Sequence, residues 1–336
     1  MEWAEGPVRV RVPATSANLG PGFDTLGLAL GLHDEVEAAV TASGLDIEVS
    51  GEGADDVLTA GEKHLVVRAM RVAFDDLDVP QPPGLALRCV NRIPHGRGLG
   101  SSAAAIVAGL IAARALAGAS TRPQDVLPLA NVLEGHPDNV APCLFGGLTI
   151  AWVTDGTVGG GTVGAGTVGD GTVGGGTAGL PEARAIRLDP RPEVRPVAFI
   201  APAPVSTKVA RGLLPAAVPH ADAARNAGRA ALLIAALTAR PDALLDGTED
   251  KLHQQYRAPA MPGTHELVTR LRAAGVPAVV SGAGPSVLAF LTENPVQDVL
   301  KRLDSMAAET GIDWHISPLV VERQGASVTS GVPSAR

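Results

Sequence analysis

The residues of this 336-residue chain best suited to chemistry fall into three clusters. The first is Pro94-His95-Gly96-Arg97-Gly98-Leu99-Gly100-Ser101-Ser102-Ala103-Ala104. Glycines at 96, 98 and 100 let backbone N–H groups turn into one concavity without Cβ obstruction. Ser101 and Ser102 then open an alanine-rich helix, where unpaired donors and the helix dipole favour an anion. The arrangement is a phosphate cradle. It is not a Walker A loop, because the Gly-Lys-Ser/Thr ending is missing, and Gly-x-Gly-x-x-Gly fails at Ser101. An ordinary helix entry with a serine cap is the plainer alternative. The second cluster, Glu134-Gly135-His136-Pro137-Asp138-Asn139, sets four polar side chains around a Gly/Pro turn. It suits magnesium, which takes one or two carboxylates and completes its shell with phosphate oxygens and water. Zinc is disfavoured by a single nearby histidine. A capped helix end would also explain the segment. The third cluster, Asn18 and Asp24 between Gly20 and Gly22, offers an amide and a carboxylate to a small polar ligand. Asx-turn chemistry is its alternative.

These clusters need elements to position them. Val8 to Val12 reads as a strand broken by Pro13, followed by a polar loop and the apolar run Leu26 to Leu32. Glu35–Val40, Leu45–Val49 and Leu85–Val90 alternate as strands. His64–Phe74, Ala103–Ala117 and Gln124–Leu133 have helical spacing, the last closed by Gly135 and Pro137. Beyond these, Val197–Ala201, Ala278–Val280, Val287–Leu291 and Trp314–Glu322 read as strands. Ala221–Ala239, His265–Ala274 and Pro295–Thr310 read as helices. The mixture lacks strict βαβ regularity, so an α+β protein of two lobes fits best. From Gly156 five pentapeptides Gly-Thr-(Val/Ala)-Gly-x intervene between two strand-like pieces, Gly147–Val153 and Ala183–Leu188. They cannot bury enough apolar surface to offset the entropy of ordering, so the segment reads as an expanded, mobile hairpin loop. A β-helical repeat is the rival, but the aspartates of calcium-binding nonapeptides are absent.

Taken together the motifs resemble a family. Pro13-Ala14-Thr15-Ser16-Ala17-Asn18-Leu19-Gly20-Pro21-Gly22-Phe23-Asp24, Gly98-Leu99-Gly100-Ser101-Ser102-Ala103-Ala104 and Gly282-Ala283-Gly284-Pro285-Ser286 look like the three ordered motifs of the GHMP kinases. The full form of the first motif is particular to the homoserine kinase family. So are His136-Pro137-Asp138-Asn139-Val140-Ala141-Pro142, Ser206-Thr207-Lys208-Val209-Ala210-Arg211 and Leu252-His253-Gln254-Gln255-Tyr256-Arg257. The resemblance runs from about Val8 to Glu322 and omits only the repeat insert and the tail.

The resemblance implies a two-lobed GHMP kinase fold, with a ribosomal-S5-like β/α N-terminal domain over residues 1–190 that carries the insert 155–180. A ferredoxin-like α+β C-terminal domain would cover 191–323, with a flexible tail at 324–336. It implies ATP-dependent phosphorylation of the side-chain hydroxyl of L-homoserine, feeding threonine synthesis. Pro94 to Ala104 would hold ATP, and Ser101 or Ser102 with Glu134 would hold Mg2+. The amino acid's carboxylate would need a cationic fork, Arg211 and Arg257. Asn18, Asp24, His136 and Asn139 would surround its ammonium and hydroxyl, with Thr207 lining the same pocket. The catalytic set so implied is Asp24, Glu134, Asn139 and Arg211. The first motif has no lysine, and Asp138 and Asn139 are not ranked as bases. Catalysis by alignment and charge neutralisation is therefore favoured, with the hydroxyl proton passing late. A GHMP kinase for another small alcohol, or a catalytically silent ligand sensor on the same fold, stands as the alternative.

Composition narrows the classes. The 46% of hydrophobic residues supports a large core. No apolar run is long enough to span a bilayer and the N-terminus has no signal-peptide pattern, so no membrane role is expected. A net charge of −8 disfavours nucleic acid. Two cysteines suit a reducing cytoplasm. A homodimer is the assembly the resemblance allows. Arg225 and Arg229 read as a solvated helix face. A Ser–His–Asp hydrolase is excluded for want of Gly-x-Ser-x-Gly.

Overall fold

In the computed structural model the chain is described over residues 1–57, 61–154, 182–292 and 297–330. The pentapeptide repeat lies outside the described residues. Its flanks pair as expected: β5 (Leu148–Thr154) and β6 (Glu182–Leu188) run antiparallel, with Leu148 opposite Leu188 and Thr154 opposite Glu182.

β1 (Val8–Ala17) alternates buried valines with outward Arg9 and Arg11, then is buried on both sides from Val12 onward. Pro13 does not end it. The register with β2 (Leu26–Thr41) shifts between Pro13 and Ala14, where proline's missing N–H is tolerated. Thr15, Ser16 and Ala17, expected in a loop, therefore arrive as rigid strand backbone. The two apolar stretches after Leu26 fuse into the single strand β2. β3 (Gly44–Gly51) lies parallel to β4 (Gly84–Asn91), which pairs antiparallel with β2. α1 (Leu65–Asp76), α2 (Ser101–Leu116), α3 (Pro123–Glu134) and α4 (Pro137–Phe145) contribute apolar side chains to one core with this sheet.

The second sheet contains β7 (Arg195–Ile200), β8 (Ala278–Val280), β9 (Val287–Leu291) and β10 (His315–Pro318), in the order β10-β7-β9-β8. Fourth-first-third-second is the ferredoxin-like order. One face, with Phe199, Val280 and Val287, shares a cluster with Leu267 and Leu271 of α7 (Pro262–Ala273) and Leu303 of α8 (Gln297–Ala308). The other face, with Ala198, Ile200, Leu288 and Phe290, joins the first core through Leu233 and Leu237 of α6 (His220–Thr238). The short α5 (Thr207–Gly212) buries only Ala210. Arg225 and Arg229 on α6 share Glu249 at 2.9 Å each, so that face is ion-paired and not merely solvated.

The C-terminal segment differs from expectation. Beyond β10 the chain returns to the first sheet. Val321 bridges Leu30, and β11 (Ser327–Ser330) pairs with Val8–Arg11 of β1. Residues 324–330 are therefore not a loose tail, because β1 offered an open edge whose backbone groups they satisfy. Cys89 and Cys143 are free and buried; burial pushes the Cys89 thiol up to about 12. No helix among the described residues is long and apolar enough to cross a membrane.

Candidate active site

Where the two sheets meet, a cavity of about 230 Å³ is lined by residues from all three sequence clusters. Its floor is the glycine loop. Gly100 takes φ 72° as the N-cap of α2 and supplies no side-chain cap, leaving the first amides of a 16-residue helix to face the cavity. Gly98 has φ +73°, and a Cβ there would press into the backbone carbonyls of Ser281 and Gly284. Glycine is needed at 98 because the 282–284 turn packs directly on the loop. Ser281 Oγ lies 2.7 Å from the Gly98 carbonyl and 2.8 Å from Ser16 Oγ, and Gly282 N–H donates to the Ala17 carbonyl at 3.1 Å. The rigid end of β1 thus couples the first and third motifs.

The eleven residues of the loop divide by task. Gly96, Gly98, Gly100, Ser101 and Ser102 line the cavity. Leu99, Ala103 and Ala104 are buried, so toward the cavity they can offer backbone only. Arg97 donates to the carbonyls of His95 and Ala201 at 2.8 Å and of Pro202 at 2.6 Å, which ties the loop to the exit of β7. Pro94 is buried, and His95 faces a neighbouring cavity.

On the second wall α3 ends at Gly135 with φ 89°, and Pro137 opens α4 with His136 as its N-cap. Pro137 was expected only to close a helix; its ring suits the first helical position equally well. Ser102 Oγ donates to the Glu134 carboxylate at 2.8 Å. Burial pushes the Glu134 carboxyl above its ordinary value, against the opposing pull of His136 and Ser102. His136 Nδ1 lies 2.6 Å from Asp138 Oδ1. Burial alone would lower His136, but the hydrogen bond and charge of Asp138, with Glu134, outweigh it and raise it. Asp138 is 1% exposed and committed to that histidine. Asn139 Oδ1 accepts from Thr15 Oγ1 at 2.8 Å.

The third wall is charged. Asn18 and Asp24 both have positive φ, 65° and 52°. Asn18 spends its amide on the fold: Nδ2 donates to the Gly282 carbonyl at 2.8 Å and Oδ1 accepts the Asp24 N–H at 3.0 Å. Asp24 and Arg211 form a two-pronged ion pair at 2.6 and 3.2 Å, partly open to solvent. Arg257 is 1% exposed, and among the described residues no carboxylate lies within ion-pair distance of it. Its Nη1 reaches the Gly282 carbonyl and His253 Nδ1, each at 3.2 Å, and its Nε has no partner. His253 Nε2 donates to the Gly20 carbonyl at 2.8 Å, which leaves Nδ1 as an acceptor, and burial lowers its pKa. Thr207 on α5 completes the lining.

A second cavity of about 320 Å³ shares Ser101 and Ser102 with the first and continues over Val12, Val36, Leu65, Ala104 and Ala108 to Asp34, His64 and His95. Sequence reasoning did not find it: apart from His95, Ser101, Ser102 and Ala104 its walls come from separate elements that bear no motif. Thr15, Ser16, Ser281 and His253 were also missed as site residues. The first two lay inside the quoted first motif, Ser281 directly precedes the third, and His253 lay inside the quoted Leu252–Arg257 segment with no ligand spacing to mark it. The structure brings together Asn18, Glu134, His136, Asn139, Thr207, Arg211 and Arg257 around the first cavity, with Asp24 held on Arg211.

Comparison with known proteins follows the same line. The description "GHMP kinases N terminal domain" matches residues 64–147, and "GHMP kinases C terminal" matches 223–309. The chain is 53% identical over 324 residues to the homoserine kinase of Streptomyces coelicolor, covering 96% of this chain and 94% of that protein. It is 49% identical over 324 residues to that of Clavibacter michiganensis subsp. michiganensis, covering 96% and 93%. Among solved structures, the homoserine kinase from Cytophaga hutchinsonii superposes with a TM-score of 0.75 at 25% identity, covering 98% of this chain and 99% of that one.

Proposed function

This chain belongs to the homoserine kinase family of the GHMP kinases, and from that membership we propose how its two cavities divide the work of moving the γ-phosphoryl group of ATP onto the side-chain hydroxyl of L-homoserine. The product is O-phospho-L-homoserine, the step that feeds threonine synthesis. The observation that carries the division is the pair of cavities joined at Ser101 and Ser102, one apolar and one charged. The apolar cavity takes the nucleoside. The glycine loop and the first amides of α2 take the phosphates. The charged cavity takes the amino acid, its carboxylate on Arg257 and Arg211 and its ammonium on Asp24. A buried guanidinium without a carboxylate suits an anion that arrives with the substrate.

Mg2+ belongs beside Glu134. One carboxylate with the hydroxyls of Ser101 and Ser102 falls short of an all-protein cage and suits a cation that takes its other ligands from phosphate and water. The burial that raises Glu134 is a strain that such a cation relieves. When bound, magnesium would neutralise charge on the phosphates. The protein's own residues supply alignment. Asn139, fixed by Thr15, faces the hydroxyl, and His136 is held by Asp138. Among the described residues lining the charged cavity no carboxylate stands ready as a strong base, because Asp138 is committed to His136, Asp24 to Arg211 and Glu134 to Ser102 and the metal. The hydroxyl proton therefore leaves late, toward a phosphate oxygen. The two lobes divide between Leu188 and Arg195, with 319–330 returning to the first, and the enzyme works in the cytoplasm.

The test is a panel of hydroxyl compounds with ATP, followed by ADP release and phosphorus NMR of the product. Homoserine should give O-phosphohomoserine. Turnover of another alcohol without homoserine would select the wider GHMP reading, and binding without turnover the silent sensor.

A further inference from the structure

Phe23 lies in the first motif between Gly22 and Asp24, half-buried at the charged wall. Its ring meets three neighbours. The Arg211 guanidinium carbon lies 5.7 Å from the ring centroid, and that of Arg257 lies 5.4 Å from it. The His253 ring stacks on it at 5.2 Å with an interplanar angle of 29°. Both arginine distances fall inside the range in which the negative face of an aromatic ring attracts a cation. Two like charges thus share one ring, and one of them, Arg257, is buried without a carboxylate. A carboxylate side chain in place of Phe23 would satisfy Arg257 but compete with an incoming carboxylate. An aliphatic side chain would fill the space and leave the two guanidiniums to repel each other. The ring face does neither: it attracts both cations and adds no acceptor to compete with an incoming carboxylate.

We propose that Phe23 is a positioning residue, a π platform that holds Arg211 and Arg257 together as a fork for the carboxylate of the amino-acid substrate. This rests on the reading of those arginines given above. Neutral His253 fixes the assembly from behind, since it accepts from Arg257 and donates to Gly20.

The test replaces Phe23 site-specifically with mono-, di- and trifluorophenylalanine, which weaken the ring face stepwise at nearly constant shape. The KM for homoserine should rise with each fluorine, to roughly tenfold in the trifluoro protein, while the KM for ATP does not follow. Phe23→Tyr should keep a near-native homoserine KM and Phe23→Leu should raise it. A flat fluorine series, as packing alone requires, overturns the platform. Arg257→Met separates this failure from that of the underlying reading. If Arg257→Met raises the homoserine KM while the fluorine series stays flat, only the platform falls. If Arg257→Met leaves that KM within twofold, the fork falls and the platform with it.

Discussion

At the cradle end of the cavity, the groups that face the ligand are backbone amides and hydroxyls held by glycine turns. At the arginine end they are charged side chains, among them Asp24 and Arg211, 187 positions apart in the chain. The cradle is complete before anything binds, because its donors are fixed by strand, turn and helix. The arginine end is balanced against itself: one arginine is neutralised by Asp24, while the other waits in the interior with a carbonyl, a histidine nitrogen and a ring face. A rigid anion site can be made from local backbone. A site that recognises a zwitterion needs opposite charges kept apart, and distant segments must hold them.

Substitutions can break this contrast, the strongest of them at the cradle. Glu134→Gln removes the only carboxylate among the described residues that pairs with a loop serine and should lower kcat by roughly 100-fold or more. Unchanged magnesium-dependent kinetics in that variant would refute the metal assignment. Gly98→Ala forces a Cβ against two carbonyls at a left-handed φ and should displace the loop, costing about 100-fold in turnover. A near-native kcat would mean that the loop and the 282–284 turn are not rigidly coupled. Next in size, Arg257→Met should act in opposite senses on binding and stability. The homoserine KM should rise roughly 30-fold. The substrate-free protein should gain about 1 kcal/mol in denaturant unfolding, since an unpaired buried charge gives way to an apolar side chain. A loss of stability would show that the arginine is satisfied in the empty state.

The smallest effect lies outside both ends and serves as their control. His33 accepts from Arg11 through Nδ1 at 2.9 Å and meets Glu322 through Nε2 at 2.8 Å. Its pKa is lowered, first by burial and then by Arg11, with Arg92 adding a little and Glu322 opposing. Below its ordinary value near 6.5 the unfolded chain therefore binds more protons than the native one, so stability falls as pH drops through that value. His33→Gln should flatten the melting temperature as pH falls below about 6.5 and leave the homoserine KM alone. Equal slopes in both proteins would contradict the assignment.

The cradle was legible in the sequence because its logic is local: glycines and serines in consecutive positions fix the backbone that binds. The arginine end was legible only through the resemblance. Nothing local in Arg211 or Arg257 says that one is paired and the other buried, since that depends on the return of Asp24 and Gly282 across the fold. Pro13 misled for a physical reason, because the register shift that accommodates it is invisible without the partner strand. Pro137 was read as a helix stop when it was also a helix start. The second cavity shares only one side with the glycine-loop motif, the rest being space left between elements.

Four residues, Ser327 to Ser330, form one edge strand of the first sheet, and they cover the first half of β1. Without them Val8 to Arg11 would present a row of unsatisfied amides and carbonyls beside buried valines, a template on which another copy could dock strand to strand. With them the sheet ends in a short run rich in hydroxyls, which offers little to extend. A chain cut after Glu322 should therefore lose solubility before it loses activity.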